Sequence, residues 1–211
     1  MTKYQVQRSV LGLLLMVISM TLSAQDFSAD RGLFDAYQRE DMSVWKEYLE
    51  VLRDKVPSDK VRDTKDLLYE YGYCGYIVAE AKKEGKEALL PEAKRYVQQF
   101  RKDVEAAKGS LPAGHYEMYM SAVMVYEMRL HIAIRPVKAM SLAKEATKLA
   151  PKDPLVLAYY GTSLYYAPAP FGSKKEALRY FKQAKELFQG PKWEYCWVRK
   201  ATEMYIRGIE N

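Results

Sequence analysis

Ala139-Met140-Ser141-Leu142-Ala143-Lys144-Glu145-Ala146-Thr147-Lys148-Leu149-Ala150-Pro151-Lys152-Asp153-Pro154-Leu155-Val156-Leu157-Ala158-Tyr159-Tyr160-Gly161-Thr162-Ser163-Leu164 reads as two helices and the turn that joins them. Ala139, Leu142, Ala143, Ala146 and Leu149 recur at helical spacing and line one face with small and apolar side chains. Asp153-Pro154 opens the second helix. The aspartate caps the free backbone N–H groups, and proline takes a position where its missing N–H costs nothing. Leu155, Ala158, Tyr159, Leu164 and Tyr165 carry the apolar stripe onward. The turn is short, so the two helices are expected to lie antiparallel as a hairpin.

The same periodicity extends in both directions. Val44, Trp45, Tyr48, Leu49, Leu52 and Val56 mark one stripe; Leu67, Leu68, Tyr71, Cys74, Gly75, Ile77 and Val78 mark another. Ala93, Tyr96, Val97, Phe100, Val104 and Ala107 follow after Pro91, then Tyr116, Tyr119, Met120, Val123, Tyr126 and Leu130. Ala177, Leu178, Phe181, Ala184 and Leu187 form a further helix, and Trp193, Trp197, Ala201 and Tyr205 the last. Ser173-Lys174-Lys175-Glu176 has the form of a capping box, the serine bonding forward and the glutamate reaching back. Gly72-x-x-Gly75 inside a helical pattern suggests a close approach of helices. No strand-like alternation occurs from Gln25 to Asn211, so an all-α chain is expected, with residues 25–211 as one domain.

Leu157-x-x-Tyr160-Gly161-x-x-Leu164, preceded by Ala139, Ala143, Ala146 and Pro151, resembles the tetratricopeptide repeat (TPR), a helix–turn–helix unit of about 34 residues. Ala177-x-x-x-Phe181-x-x-Ala184, followed by Pro191, is similar to its second helix. The match is clearest over residues 120–190 and weak over 60–110. Two departures stand out: Ala167-Pro168-Ala169-Pro170-Phe171-Gly172 is an inserted turn, and Glu127 stands where the family has a small residue. The resemblance implies antiparallel hairpins stacked as a TPR-like α-solenoid, whose first helices form a concave face. Its groove-facing positions correspond to Leu155, Ala158, Thr162, Tyr165 and Tyr166, and one repeat earlier to Ser121, Met124, Met128, His131 and Ile132. Met124, Met128, His131, Thr162, Tyr165 and Tyr166 are the candidate partner-binding residues that follow.

Motifs that carry chemistry are missing. The chain has no G-x-S-x-G, no H-E-x-x-H and no phosphate-cradling glycine loop. His115 and His131 have no cysteine nearby, and Glu127 with His131 on one helix face is too little for a metal. Cys74 and Cys196 lie five helices apart in a linear stack, so two buried free thiols are expected rather than a bridge. A non-catalytic role with no cofactor follows.

Hydrophobic residues make up 49% of the 211 and charged residues 28%, a balance that builds a core and excludes a disordered tail. Lys3 and Arg8 precede the apolar run Val10-Leu11-Gly12-Leu13-Leu14-Leu15-Met16-Val17-Ile18, and Ser23-Ala24-Gln25 offers a cleavage point. Residues 1–24 therefore read as a cleavable signal peptide, too short in its apolar part for a spanning helix. Loss of Lys3 and Arg8 lowers the net charge from +6 to +4, too mild for a nucleic-acid partner. The expectation is an exported, periplasmic or secreted TPR-like scaffold that binds a protein or peptide through its concave face, with no stable membrane insertion. The alternative is a small-molecule-binding accessory component of an envelope transport system, since a proline-glycine turn before a Lys-Ala helix also occurs in repeat proteins of such systems.

Overall fold

The computed structural model describes residues 26–55 and 62–211. The expected signal peptide, its cleavage point and Val56 lie outside the described residues. The chain is all-α: nine α-helices and two short 3-10 turns occur among the described residues, with no strand. They are α1 Arg31–Gln38, α2 Ser43–Lys55, α3 Thr64–Glu80, α4 Leu90–Ala107, α5 His115–Arg129, α6 Pro136–Leu149, α7 Pro154–Tyr166, α8 Lys174–Leu187 and α9 Trp197–Glu210. None is long and apolar enough to cross a membrane.

Consecutive helices pack on one another from α1 to α9. In addition α3 touches α5, α5 touches α7, and α7 touches α9. These four therefore stand side by side, and α4, α6 and α8 each pack against the two that flank them in sequence. The alanine stripes explain how closely the helices sit. Ala139, Ala143, Ala146, Ala177 and Ala184 are all buried, with bulky rings filling the remaining space. Gly161 is the clearest case: a Cβ there would lie 2.8 Å from the Phe181 ring of α8.

The caps hold with one difference. Asp153 Oδ1 accepts from Leu155 N and Val156 N at 2.8 and 3.2 Å. Ser173 Oγ accepts from Glu176 N at 3.2 Å. The return half of that box is not made, because the Ser173 N–H donates to Leu164 O at 3.0 Å and leaves the Glu176 carboxylate nothing to reach.

The two ends of the described chain meet. Phe27 N donates to Lys192 O at 2.8 Å, and the Phe27 ring stacks on Trp193 with centroids 5.6 Å apart. Phe34 meets Tyr195 at 5.9 Å, and Tyr37 meets Trp197 at 5.6 Å. The glycines of α3 make room for rings rather than for another backbone, and Gly72 does so at this closure. A Cβ on Gly72 would fall 2.5 Å from Trp45 Cζ3, and one on Gly75 would fall 2.9 Å from the Tyr126 hydroxyl. Each buried aromatic side chain contributes about 1.5–3 kcal/mol, and each favourable ring pair about 0.5–1.5 more. One hydrophobic cluster runs from Phe27 to Ile206.

Among the described residues, the buried carboxylates Asp30, Glu70 and Glu127 each have a cationic partner. Asp30 accepts from the Tyr69 hydroxyl at 2.9 Å and pairs with Lys65 at 3.1 Å. Glu70 Oε1 of α3 accepts from Arg53 Nη2 of α2 at 3.1 Å. Its Oε2 and Asp103 Oδ2 of α4 are buried with no other partner. Burial first, and the Asp103 charge second, push the Glu70 carboxyl up to about 8, which favours its protonated form beside Asp103. Cys74 and Cys196 are both buried and free. Cys74 faces Glu70 and Arg53, and Cys196 lies near Asp30 and Tyr69. Burial raises both thiols, Cys196 to about 12, and keeps them unreactive.

Candidate functional site

Asp153 locates the site. Besides capping α7, its Oδ2 lies 3.0 Å from His115 Nε2 at the start of α5, so both helices are fixed at one end. From there α7 runs Leu155, Ala158 and Thr162 along a cavity and brings Tyr165 and Tyr166 to its rim. The cavity encloses about 110 Å³ between α1, α3, α5, α7 and α9. Its aromatic walls are Tyr37, Tyr71, Tyr159, Trp197 and Tyr205, and no charged side chain lines it.

The rim is a tyrosine cluster. Tyr165 meets Tyr166 at 4.9 Å and Tyr205 at 5.3 Å, while Tyr205 stacks on Phe181 at 5.0 Å, nearly parallel. The Tyr205 hydroxyl donates to the Tyr166 hydroxyl at 3.2 Å. Lys174 Nζ of α8 stands 5.5 Å over the Tyr165 ring. Burial and the neighbouring Tyr166 hydroxyl raise Tyr205 far above the ordinary phenol range, so it stays neutral. Tyr166 itself is 67% exposed, an unusual fate for so large an aromatic side chain.

The sequence-derived strip is thus split. Thr162, Tyr165 and Tyr166 come together at the cavity and its rim. Met124 is buried, and Met128 is half-buried. His131 follows the end of α5 in a left-handed turn, φ 56°, with its Nε2 3.2 Å from Lys82 Nζ. The register is the reason. A step of about 34 residues back from Leu155 reaches Ser121, yet Met118 is the α5 side chain on the cavity wall. Ser121 turns the other way, donating to Ala139 O at 2.7 Å and accepting from the Tyr159 hydroxyl at 2.8 Å. Nor do Glu127 and His131 form a pair, because Arg101 takes the Glu127 carboxylate.

Spacing along α7 sufficed to place Tyr165 and Tyr166. It could not reveal Tyr37, Tyr71, Trp197 and Tyr205, which arrive from other helices. The high tyrosine count, 18 in 211, was the available signal. No group of three or more potential metal ligands occurs among the described residues. Comparisons with protein-family models, with curated proteins and with solved structures find no match.

Proposed function

We propose that this chain is an exported, non-catalytic, TPR-like solenoid that binds a protein or peptide through the face made by α3, α5, α7 and α9. The side-by-side order of these four helices, with α4, α6 and α8 packed against them, is compatible with that reading. The observation that carries the reading is Tyr166, two-thirds exposed beside Tyr165 and Tyr205. Tyrosine supplies large contact area at low entropic cost, and a cluster of three is an anchor for a partner chain.

A small-molecule role calls for an enclosed volume of about 300–1,000 Å³. The inner cavity holds about 110 Å³, and the wider depression of about 480 Å³ beside Lys152, Gln189 and Lys192 is open to solvent. The peptide reading therefore comes first.

Selection of displayed peptides against the purified protein tests it. Selected peptides are expected to lose at least tenfold in affinity for Tyr166→Ala while the melting temperature stays within about 2 °C. Equal binding to wild type and variant rejects the assigned face. Mass measurement of the exported product, expected to begin at Gln25, tests the export half.

A further inference from the structure

α5 and α7 run parallel and in register. His115 at the start of α5 lies 3.0 Å from Asp153, the cap of α7. Six residues further along each helix, the Tyr159 hydroxyl donates to Ser121 Oγ at 2.8 Å. At a rise of about 1.5 Å per residue, Arg129 and Tyr166 therefore end the two helices at nearly the same level. The loop of residues 130–135 and the turn of residues 167–173 leave the stack side by side at this end.

Backbone bonds pin both segments. Leu130 N donates to Tyr126 O at 3.0 Å, and Ile132 N to Glu127 O at 2.8 Å. Phe171 N and Gly172 N both donate to Pro168 O, at 2.9 and 3.1 Å. A Cβ on Gly172 would fall 1.9 Å from Ala167 O, so this turn closes only on glycine. Leu130 is buried, yet Ile132 is 40% exposed, Ile134 78%, Val137 64% and Phe171 42%. Scattered apolar side chains on a surface need no explanation. Three within six residues, with a fourth on the adjacent turn, make a patch.

Charge points to what the patch meets. No aspartate or glutamate occurs from Met128 to Lys144, or from Pro154 to Lys175. Arg129, Arg135 and Lys138 flank the isoleucines and the valine, and Lys174 and Lys175 follow Phe171, all five exposed. Glu176 is the next acidic residue, and Arg179 stands 3.9 Å from it. The turn between α3 and α4 adjoins the loop, with Lys82 Nζ 3.2 Å from His131 Nε2. It is neutral overall, since Lys82, Lys83 and Lys86 balance Glu80, Glu84 and Glu87.

We infer that this end of the stack rests on an anionic phospholipid surface. Ile132, Ile134, Val137 and Phe171 enter at head-group depth, and the five cations lie against the phosphates. A folded protein suits the patch less well. Protein interfaces concentrate Tyr, Trp and Met in a fitted centre, whereas these side chains are mostly aliphatic and stand on loops. Lipid asks for no matching shape: apolar groups enter the boundary while Lys and Arg stems lie alongside with their charges in the head groups. Each exposed cation near the surface adds to the attraction. No helix among the described residues is long and apolar enough to cross a membrane, so the contact is peripheral. This inference stands apart from the peptide reading, which rests on Tyr166 and its tyrosine neighbours.

Co-sedimentation of the purified protein with vesicles of phosphatidylcholine, alone or with about one-third phosphatidylglycerol, decides it. Binding to the anionic vesicles is expected to be at least tenfold tighter, and to weaken as salt rises from about 0.1 to about 0.5 M. Ile134→Ser combined with Val137→Ser is expected to weaken anionic binding at least tenfold, and so is Arg135→Gln combined with Lys138→Gln. All four side chains are exposed, so both variants should melt with the wild type. Residues 1–24 are common to all three proteins and cancel from the comparison. No binding to anionic vesicles, or equal binding by wild type and the serine variant, overturns the proposal. So does a dimer that the serine variant loses in the absence of vesicle binding, which assigns the patch to a second copy of this chain.

Discussion

Arg101 of α4 grips Glu127 of α5 with two hydrogen bonds, Nε to Oε1 at 2.8 Å and Nη2 to Oε2 at 2.7 Å. Glu127 stands where the repeat pattern has a small residue, and it is 8% exposed. The fork-on-carboxylate geometry offsets the cost of placing a charge between helices. Arg101→Ala is expected to cost about 3–5 kcal/mol, because it leaves Glu127 buried and unpaired. Urea unfolding of Arg101→Met, Glu127→Leu and the double variant checks this. The double variant should recover most of the loss suffered by Arg101→Met, and a merely additive cycle rejects the coupling.

Gly72→Ala should be among the most damaging single changes to α3. Its Cβ would press on Trp45 and Trp197, both locked in the aromatic closure. A cost of about 1–3 kcal/mol is expected from overpacking, which at about 2–4 °C per kcal/mol lowers the melting temperature visibly. Gly75→Ala meets only the tip of Tyr126 and should cost less. Thermal melts followed by far-ultraviolet circular dichroism compare the two; an equal or reversed order contradicts the closure.

Glu70 makes stability fall as pH rises. Its carboxyl titrates at about 8 in the fold against the ordinary glutamate value of 4.5, so between these values the native state holds a proton that the unfolded chain has released. Stability is therefore highest below about pH 4.5 for this group, declines through the window, and levels off above about 8. The contribution is on the order of a few kcal/mol across that range. Urea midpoints at pH 5, 6.5 and 8 measure the slope. Glu70→Gln, whose amide accepts from Arg53 and donates to Asp103, should flatten it; an unchanged slope assigns the effect elsewhere.

Cys74 and Cys196 should be silent toward an aromatic disulfide reagent in the native protein and give two equivalents in denaturant without reductant. Fewer than two under denaturing conditions contradicts the pair of free thiols.

How much of this was legible depends on whether the signal was local. The helices α2 to α9 follow from apolar spacing, and the Asp153 cap from two adjacent letters, because neighbours along the chain determine both. α1 has no such local signal: Arg31–Gln38 is eight residues long, contains Gly32, and its cap position Asp30 makes no capping bond. That carboxylate serves Tyr69 and Lys65 instead. Only half of the Ser173 box forms, because Leu164 O, nine residues back in α7, competes for the same N–H. In the candidate site, Thr162, Tyr165 and Tyr166 lie on one helix and were found together. Tyr37, Tyr71, Trp197 and Tyr205 converge only through the meeting of distant helices, which no spacing rule encodes.

The bond from Phe27 to Lys192 changes how the molecule can vary. A stack whose ends stay apart lengthens by duplicating a hairpin and loosens from either tip. Here an added hairpin would carry Lys192 away from Phe27 and strip Tyr37 from Trp197, so the number of helices is tied to the closure. The first and last helices each serve as the other's end piece, and the chain should come apart as a whole rather than from one side.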